Sequence, residues 1–208
     1  MYCVYQIMNI ADVSDEEMEG CRRMMSESKR QRVERMRFEV DRRRTVAGEL
    51  LARRMIASRC GVAPSDIIFR LAEKGKPYAE GLPVEFSLSH SGELVLCAMS
   101  DRPVGADVEK IHEVRDRLIS YVCTDEERCF VTADGVSCEE KMRRFYRVWT
   151  GKEAYYKYLG TGITVPLDVN TFDSEIRRRM TFFYFGEYAV SIFCDCECMM
   201  KEIQAFGE

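Results

Sequence analysis

Histidine is scarce in this chain: there are two among 208 residues, with one tryptophan and five prolines. So few imidazoles leave little from which to build a histidine-rich metal centre. Ten cysteines are present, but none form a Cys-x-x-Cys pair, so their spacing supports neither a zinc module nor a dithiol redox motif. Cys194, Cys196 and Cys198 alternate with Asp195 and Glu197 at strand period, which reads as small buried hydrophobes in a reducing compartment. No apolar run approaches the length of a membrane span. Met1 to Met8 lacks the basic start and long apolar stretch of a signal peptide. A cytoplasmic protein with no membrane partner is therefore expected. The net charge of −4 argues against a general nucleic-acid binder.

What is present is a foldable pattern. Hydrophobic residues make up 46% and charged residues 32%, which suits one moderate domain or two small ones sharing a core. The first ten residues read as a strand. Ser14-Asp-Glu-Glu17 is a helix start, with a capping hydroxyl and acids near the positive end of the helix dipole. Ser26 to Cys60 has helical periodicity, with Leu50, Leu51, Met55 and Ile56 as a buried stripe and Gly61 as a stop. Ile67 to Leu71 is a short strand and Gly75-Lys-Pro77 a turn. Val84 to Ser89 and Leu94 to Met99 form a hairpin through Ser91-Gly92.

Asp101-Arg-Pro103 is the expected boundary between an N-terminal subdomain, 1–102, and a C-terminal one, 103–208. A strand follows over Val104 to Val108, expected to be central because Val104, Ala106 and Val108 make one face apolar. Thr124-Asp-Glu-Glu127 is a capping box. Ala133 to Ser137 is a loop, and a long helix runs from Cys138 to Leu159 and stops at Gly160. Met180 to Cys196 reads as two strands joined around Gly186-Glu187.

The chemistry lies in four short segments. Asp107 and Glu109, two apart in a strand, leave the same face, and Glu153 and Lys157, four apart in a helix, share another. If the faces meet, three carboxylates and a lysine suit a hard divalent cation held against a phosphate. Gly105 permits close approach of a backbone or a ligand. Ser89-His90-Ser91 ends a strand in hydroxyls and an imidazole, a place to cradle phosphate. Lys29 to Arg44 is densely basic, which suggests an anion site in an otherwise acidic chain.

Taken together, Gly75-Lys76-Pro77, Ser89-His90-Ser91, Gly105-Ala-Asp107-Val-Glu109 and Trp149-Thr-Gly-Lys152-Glu153-Ala-Tyr-Tyr-Lys157 resemble, in order, the motifs of the 4′-phosphopantetheinyl transferases, specifically the larger, monomeric type that activates peptide and polyketide synthases. Ala106 departs from the larger aliphatic residue frequent there. The resemblance runs from the basic helix to Pro166; residues from about Thr171 carry no family signature. It implies an α+β fold of two similar α/β subdomains about a pseudo-twofold axis, with coenzyme A in the cleft between them. It implies the activity of a holo-acyl-carrier-protein synthase. Phosphopantetheine would pass from coenzyme A, the co-substrate, to a serine of an acyl- or peptidyl-carrier protein, releasing adenosine 3′,5′-bisphosphate.

It also implies roles. Asp107, Glu109 and Glu153 would hold Mg²⁺, with Mn²⁺ also suited to oxygen ligands. Glu153 and Lys157 would be the catalytic pair, Lys157 also contacting phosphate. Ser89 and His90 would hold phosphates, Lys29, Arg32, Arg44 and Thr45 would lie toward the 3′-phosphate, and Lys74, Gly75, Lys76, Pro77 and Tyr78 would line the adenine. The carrier would dock near the helix opened by Thr124 and the loop at Asp134, with Arg143, Arg144 and Arg147 as candidate cations. A non-catalytic coenzyme A- or nucleotide-binding module is the alternative; it would not need all three acids.

Overall fold

The computed structural model describes residues 2–162 and 167–195. The chain is a mixed α+β protein of two sheet-and-helix subdomains that repeat one plan. In the first half, β1 (Cys3–Asn9), β4 (Glu85–Ser91) and β5 (Leu94–Ser100) form an antiparallel sheet in the order β1-β5-β4. Helices α1 (Asp15–Met24), α2 (Glu27–Glu34) and α3 (Glu39–Cys60) lie between β1 and β4 in sequence, followed by a small hairpin of β2 (Phe69–Leu71) and β3 (Pro77–Ala79). In the second half, β6 (Val104–Lys110), β7 (Met180–Phe185) and β8 (Tyr188–Cys194) pair antiparallel in the order β6-β8-β7. Between β6 and β7 come α4 (Asp116–Val122), α5 (Asp125–Val131), α6 (Cys138–Leu159) and the short α7 (Ser174–Arg178). Each half thus places its first strand at a sheet edge, its last strand in the middle, and one 22-residue helix, α3 or α6, beside the sheet.

Most element starts follow the expected local chemistry. Ser14 and Thr124 each close a capping box, with Glu17 and Glu127 returning the bond. Gly61 and Gly160 end α3 and α6 in the left-handed region at φ 68° and 67°, a conformation only glycine adopts without strain. The expected helix from Ser26 to Cys60 is instead two helices. A Ser26 cap starts α2, which ends at Glu34, and Phe38 stands extended before α3. The continuous basic run concealed this break, because charge density carries no phase. The expected strand from Ile67 is shorter, beginning at Phe69: Ile67 itself is buried and extended, but unpaired in the ladder. The alternating thiols after β8 fall partly outside the described residues; Cys194 is the buried last residue of β8.

Alternation along the strands decides what faces what. On β5, Val95, Cys97 and Met99 enter a core beneath α1 and α3, while Leu96 and Ala98 enter a second core. That second core also takes Val104, Ala106 and Val108 of β6 and Val190 and Ile192 of β8, so the two halves share it. A third cluster joins α4, α5 and α6 through Ile119, Val122, Val131, Phe145 and Val148. With its even-numbered residues buried there, β6 turns Gly105, Asp107 and Glu109 the other way, toward α6. The expectation that β6 is central in its sheet is corrected: among the described residues it is an edge strand, paired with β8 alone. An apolar face reports burial of that face. It does not report how many neighbours bond the backbone.

Candidate active site

The glycine at the head of β6 sets the distance between strand and helix. A Cβ at Gly105 would lie 1.9 Å from the Ala154 carbonyl oxygen and 2.4 Å from the Tyr158 amide nitrogen. The backbone of α6 therefore packs directly on Gly105, a close approach only glycine allows. This contact carries the next turns of the helix over the acids of the strand. Lys157 reaches Asp107, Nζ to Oδ1 at 2.7 Å, and also donates to Ser89 Oγ at 3.0 Å. Ser89 Oγ donates to the same Asp107 oxygen at 2.7 Å. Asp107 is only 2% exposed, and its second oxygen, Oδ2, is buried with no hydrogen-bond partner.

Glu109 and Glu153 complete the group. Glu109 Oε2 accepts from Ser91 Oγ at 2.7 Å, and the carboxylate also takes a hydrogen bond from Trp149. Burial raises the pKa of Glu109, and the neighbouring Asp107 raises it further, against those two bonds. Glu153 is pushed up to about 7: burial is the largest cause, followed by repulsion from Asp107, with Lys157 opposing and Glu109 adding to the rise. Three carboxylates near one lysine hold more negative charge than that lysine neutralises, so one of them gains a proton near neutrality unless a further cation arrives.

Does this set suit a hard divalent ion? Its donors are all carboxylate oxygens, and one of them is buried and unpartnered, which is the chemistry such an ion takes. Among the described residues no three acidic, histidine or cysteine side chains already converge on one point. Asp107 Oδ1 is held by Lys157 and Ser89, and Glu109 Oε2 by Ser91.

Other candidates fall into place unevenly. His90 alternates with the serines and so leaves β4 on the side of α3. Its ring is exposed, yet the surrounding protein lowers its pKa, followed in effect by Arg44. Arg44 is close enough to act on His90, and its Nη2 pairs with Asp41 at 2.7 Å. Thr45 gives its hydroxyl proton to the Asp41 carbonyl at 2.9 Å. Lys76 does not stand free in its turn: Nζ donates to the Val104 carbonyl at 3.0 Å across the halves, and burial lowers its pKa. Gly75 turns at φ 86°, and Lys74 and Tyr78 are exposed beside it and Pro77.

Lys29 is engaged with a buried acid. Its Nζ lies 2.7 Å from buried Glu49 Oε2, an ion pair whose angles are not those of a hydrogen bond. Arg32 lies exposed on α2. Arg143, Arg144 and Arg147 lean on aromatic rings, Arg143 over Tyr184 and both Arg144 and Arg147 over Phe130. Sequence reasoning missed Ser87, and saw in Ser91 a phosphate cradle rather than a partner of Glu109. The period-two serines of Phe86-Ser-Leu-Ser-His-Ser91 were the available signal.

Comparison with known proteins decides the family. Residues 103–196 match the 4′-phosphopantetheinyl transferase superfamily, and residues 12–102 match the N-terminal region of 4′-phosphopantetheinyl transferases. The chain belongs to the 4′-phosphopantetheinyl transferase superfamily. It is 32% identical over 166 residues to 4′-phosphopantetheinyl transferase Sfp of Bacillus subtilis, covering 79% of this chain and 73% of that protein. It is 35% identical over 154 residues to 4′-phosphopantetheinyl transferase psf-1 of Bacillus pumilus, covering 73% and 64%. A Xenopus laevis relative, L-aminoadipate-semialdehyde dehydrogenase-phosphopantetheinyl transferase, is 30% identical, covering 69% of this chain and 52% of its own. The chain therefore spans between about half and three quarters of these relatives, and it is a transferase of their class. Among the described residues no helix is long and apolar enough to cross a membrane.

Proposed function

We propose that the chain moves 4′-phosphopantetheine from coenzyme A onto a serine of an acyl- or peptidyl-carrier protein, at the junction where β6 meets α6 and β4. The observation that carries this reading is the over-acidic group of Asp107, Glu109 and Glu153 around a single reaching lysine, Lys157. Three carboxylates against one lysine leave an excess of two negative charges when all are ionised, which one divalent cation offsets.

In the reaction, the carrier serine oxygen attacks the β-phosphorus of coenzyme A. A new phosphorus–oxygen bond forms as the bond to the bridging oxygen breaks, and adenosine 3′,5′-bisphosphate leaves with that oxygen. Charge on the transferring group is what the site must offset. Lys157 offsets it with an ammonium held between Asp107 and Ser89. Glu153, set among Asp107, Glu109 and Lys157, takes the serine proton as the general base. Asp107, Glu109 and Glu153 would hold Mg²⁺ or Mn²⁺, and such an ion, when bound, neutralises pyrophosphate oxygens. Arg44 and His90 receive a phosphate of the nucleotide, and the Lys74–Tyr78 turn lies against its base. Lys29 has no part in this reading, because Glu49 holds it.

The carrier approaches over α5 and the loop near Asp134, its acidic surface facing Arg143, Arg144 and Arg147. The chain acts as a monomer in the cytoplasm, a setting supported by buried thiols such as Cys21 and Cys97 that stand unpaired. The test is the intact mass of an apo-carrier incubated with the protein, coenzyme A and MgCl₂. A gain of one phosphopantetheine is expected. An unmodified carrier, or a coenzyme A cleaved without carrier modification, overturns the reading.

A further inference from the structure

The second edge of β6 faces β4, and no backbone ladder joins the two strands. Side chains of the first half stand in for one. Lys76 Nζ meets the Val104 carbonyl at 3.0 Å, Ser87 Oγ accepts the Ala106 amide at 3.0 Å, and Ser91 Oγ accepts the Lys110 amide at 3.0 Å. Ser87 and Ser91 are therefore the same device at two rungs: each hydroxyl satisfies a backbone N–H that an edge strand leaves open. They differ in where the hydroxyl proton goes. Ser91 donates to Glu109 Oε2 at 2.7 Å, whereas no carboxylate stands beside Ser87 among its hydrogen bonds.

A hydroxyl has one proton and two lone pairs. With the Lys110 amide fixing one lone pair of Ser91, the direction of its proton is narrowed, and Glu109 lies along it. We propose that Ser91 is a positioning residue: it ties the Glu109 carboxylate to the seam between the halves and sets it for cation binding. The inference rests on the reading that Asp107, Glu109 and Glu153 hold a divalent ion. Partners that orient a ligating carboxylate are worth a substantial part of metal affinity although they never touch the metal. Through Ser91 the alignment of the two halves is coupled to the geometry of an acid that only the second half supplies.

Ser87 is the built-in control, and the readout need not be turnover. Mn²⁺ is titrated into the full chain with coenzyme A present and no carrier, and free Mn²⁺ is followed by electron paramagnetic resonance. Ser91→Ala should weaken Mn²⁺ binding about 10-fold or more, while Ser91→Thr, which keeps the hydroxyl, stays within about 2-fold of the parent. Ser87→Ala should lower the melting temperature, since it strands the Ala106 amide, yet bind Mn²⁺ like the parent. Parent-like binding by Ser91→Ala overturns the proposal. So does equal weakening by Ser87→Ala, which would mean that the seam acts as a whole rather than through Glu109. If Ser91→Ala does not fold, Ser91→Cys carries the test: its thiol is a weak donor, so weakened binding is expected and parent-like binding overturns the proposal. A parent chain that binds no Mn²⁺ removes the cation reading itself, which is a different result from a parent that binds while Ser91→Ala binds as well.

Discussion

The two long helices each carry a glutamate four residues before a basic side chain, Glu49–Arg53 on α3 and Glu153–Lys157 on α6, and the two pairs have opposite fates. On α3 the pair is sealed. Arg53 Nε and Nη2 donate to Glu49 Oε1 at 2.9 and 2.7 Å, and its remaining N–H groups reach the carbonyls of Met24, Pro64 and Ile67. Both side chains are 2% exposed, and Lys29 adds a second cation. On α6 the basic residue abandons its helix neighbour for Asp107 of its own half and Ser89 of the other. Glu153 is left among like charges and rises to about 7. The spacing is shared; the supply of partners is not. Where every donor finds an acceptor the pair is architecture, and where the ledger of charge stays open the pair is available for chemistry.

Glutamine at the two positions should separate these cases. Glu153→Gln is isosteric and removes both a proton acceptor and a repulsive charge. Carrier modification should fall by about 10²–10⁴-fold, while the urea midpoint holds or rises. Near-normal transfer would remove Glu153 as the base. Glu49→Gln should do the reverse. It leaves Arg53 and Lys29 with less charge to meet in the interior, a loss of about 3–5 kcal/mol by the cost of breaking a buried pair. Transfer per folded molecule should persist. A Glu49→Gln protein with parent stability would show that its carbonyl contacts alone hold Arg53.

Much of this contrast was legible in the sequence, but not its decisive part. Caps are local chemistry, so Ser14, Thr124, Gly61 and Gly160 announced their helix ends. The shared face of Asp107 and Glu109 followed from strand period. What a period cannot carry is the identity of the partner across the fold. Nothing in the basic run around Lys29 announces that Glu49, twenty residues away, stands beside it. The edge position of β6 was hidden because burial by a helix and burial by a neighbouring strand leave the same apolar pattern. Glu127 shows the same limit. Its sequence signal was a helix cap, yet it also pairs with buried Lys152 at 2.7 Å and accepts from Thr171, far along the chain.

Gly105→Ala sharpens the comparison from the side of packing. The added methyl meets the backbone of α6, which has no rotamer to yield. The helix must move off the strand, at about 1–3 kcal/mol for an overpacked contact, and Lys157 moves with it. Stability and transfer should therefore fall together, unlike either glutamine variant. Gly48, the glycine before the sealed pair on α3, has open space where its Cβ would lie, so Gly48→Ala should be neutral or slightly stabilising, because alanine favours the helix by about 0.8–1 kcal/mol. Thermal melts of the two variants decide whether the close approach is peculiar to the second half.

The smallest expected effect tests the two capping boxes, alike in sequence and unlike in setting. Glu17 is a surface cap whose pKa is lowered from 4.5 to about 2, first by the Ser14 amide and then by Arg54. A carboxylate whose pKa is depressed on folding contributes stability above its unfolded pKa and loses it as pH falls through the folded one. The contribution of Glu17 is thus complete above about pH 5 and declines toward pH 2. Its side chain is 38% exposed, so solvent screening reduces the contribution to about 1 kcal/mol. Glu17→Gln should lower stability by that amount at pH 7, and the gap from the parent should narrow below about pH 5 and close only as the pH approaches about 2. A gap independent of pH would mean that Glu17 acts through shape and hydrogen bonding alone, and that charge matters at a helix start in this fold only where, as at Glu127, the partner is buried with it.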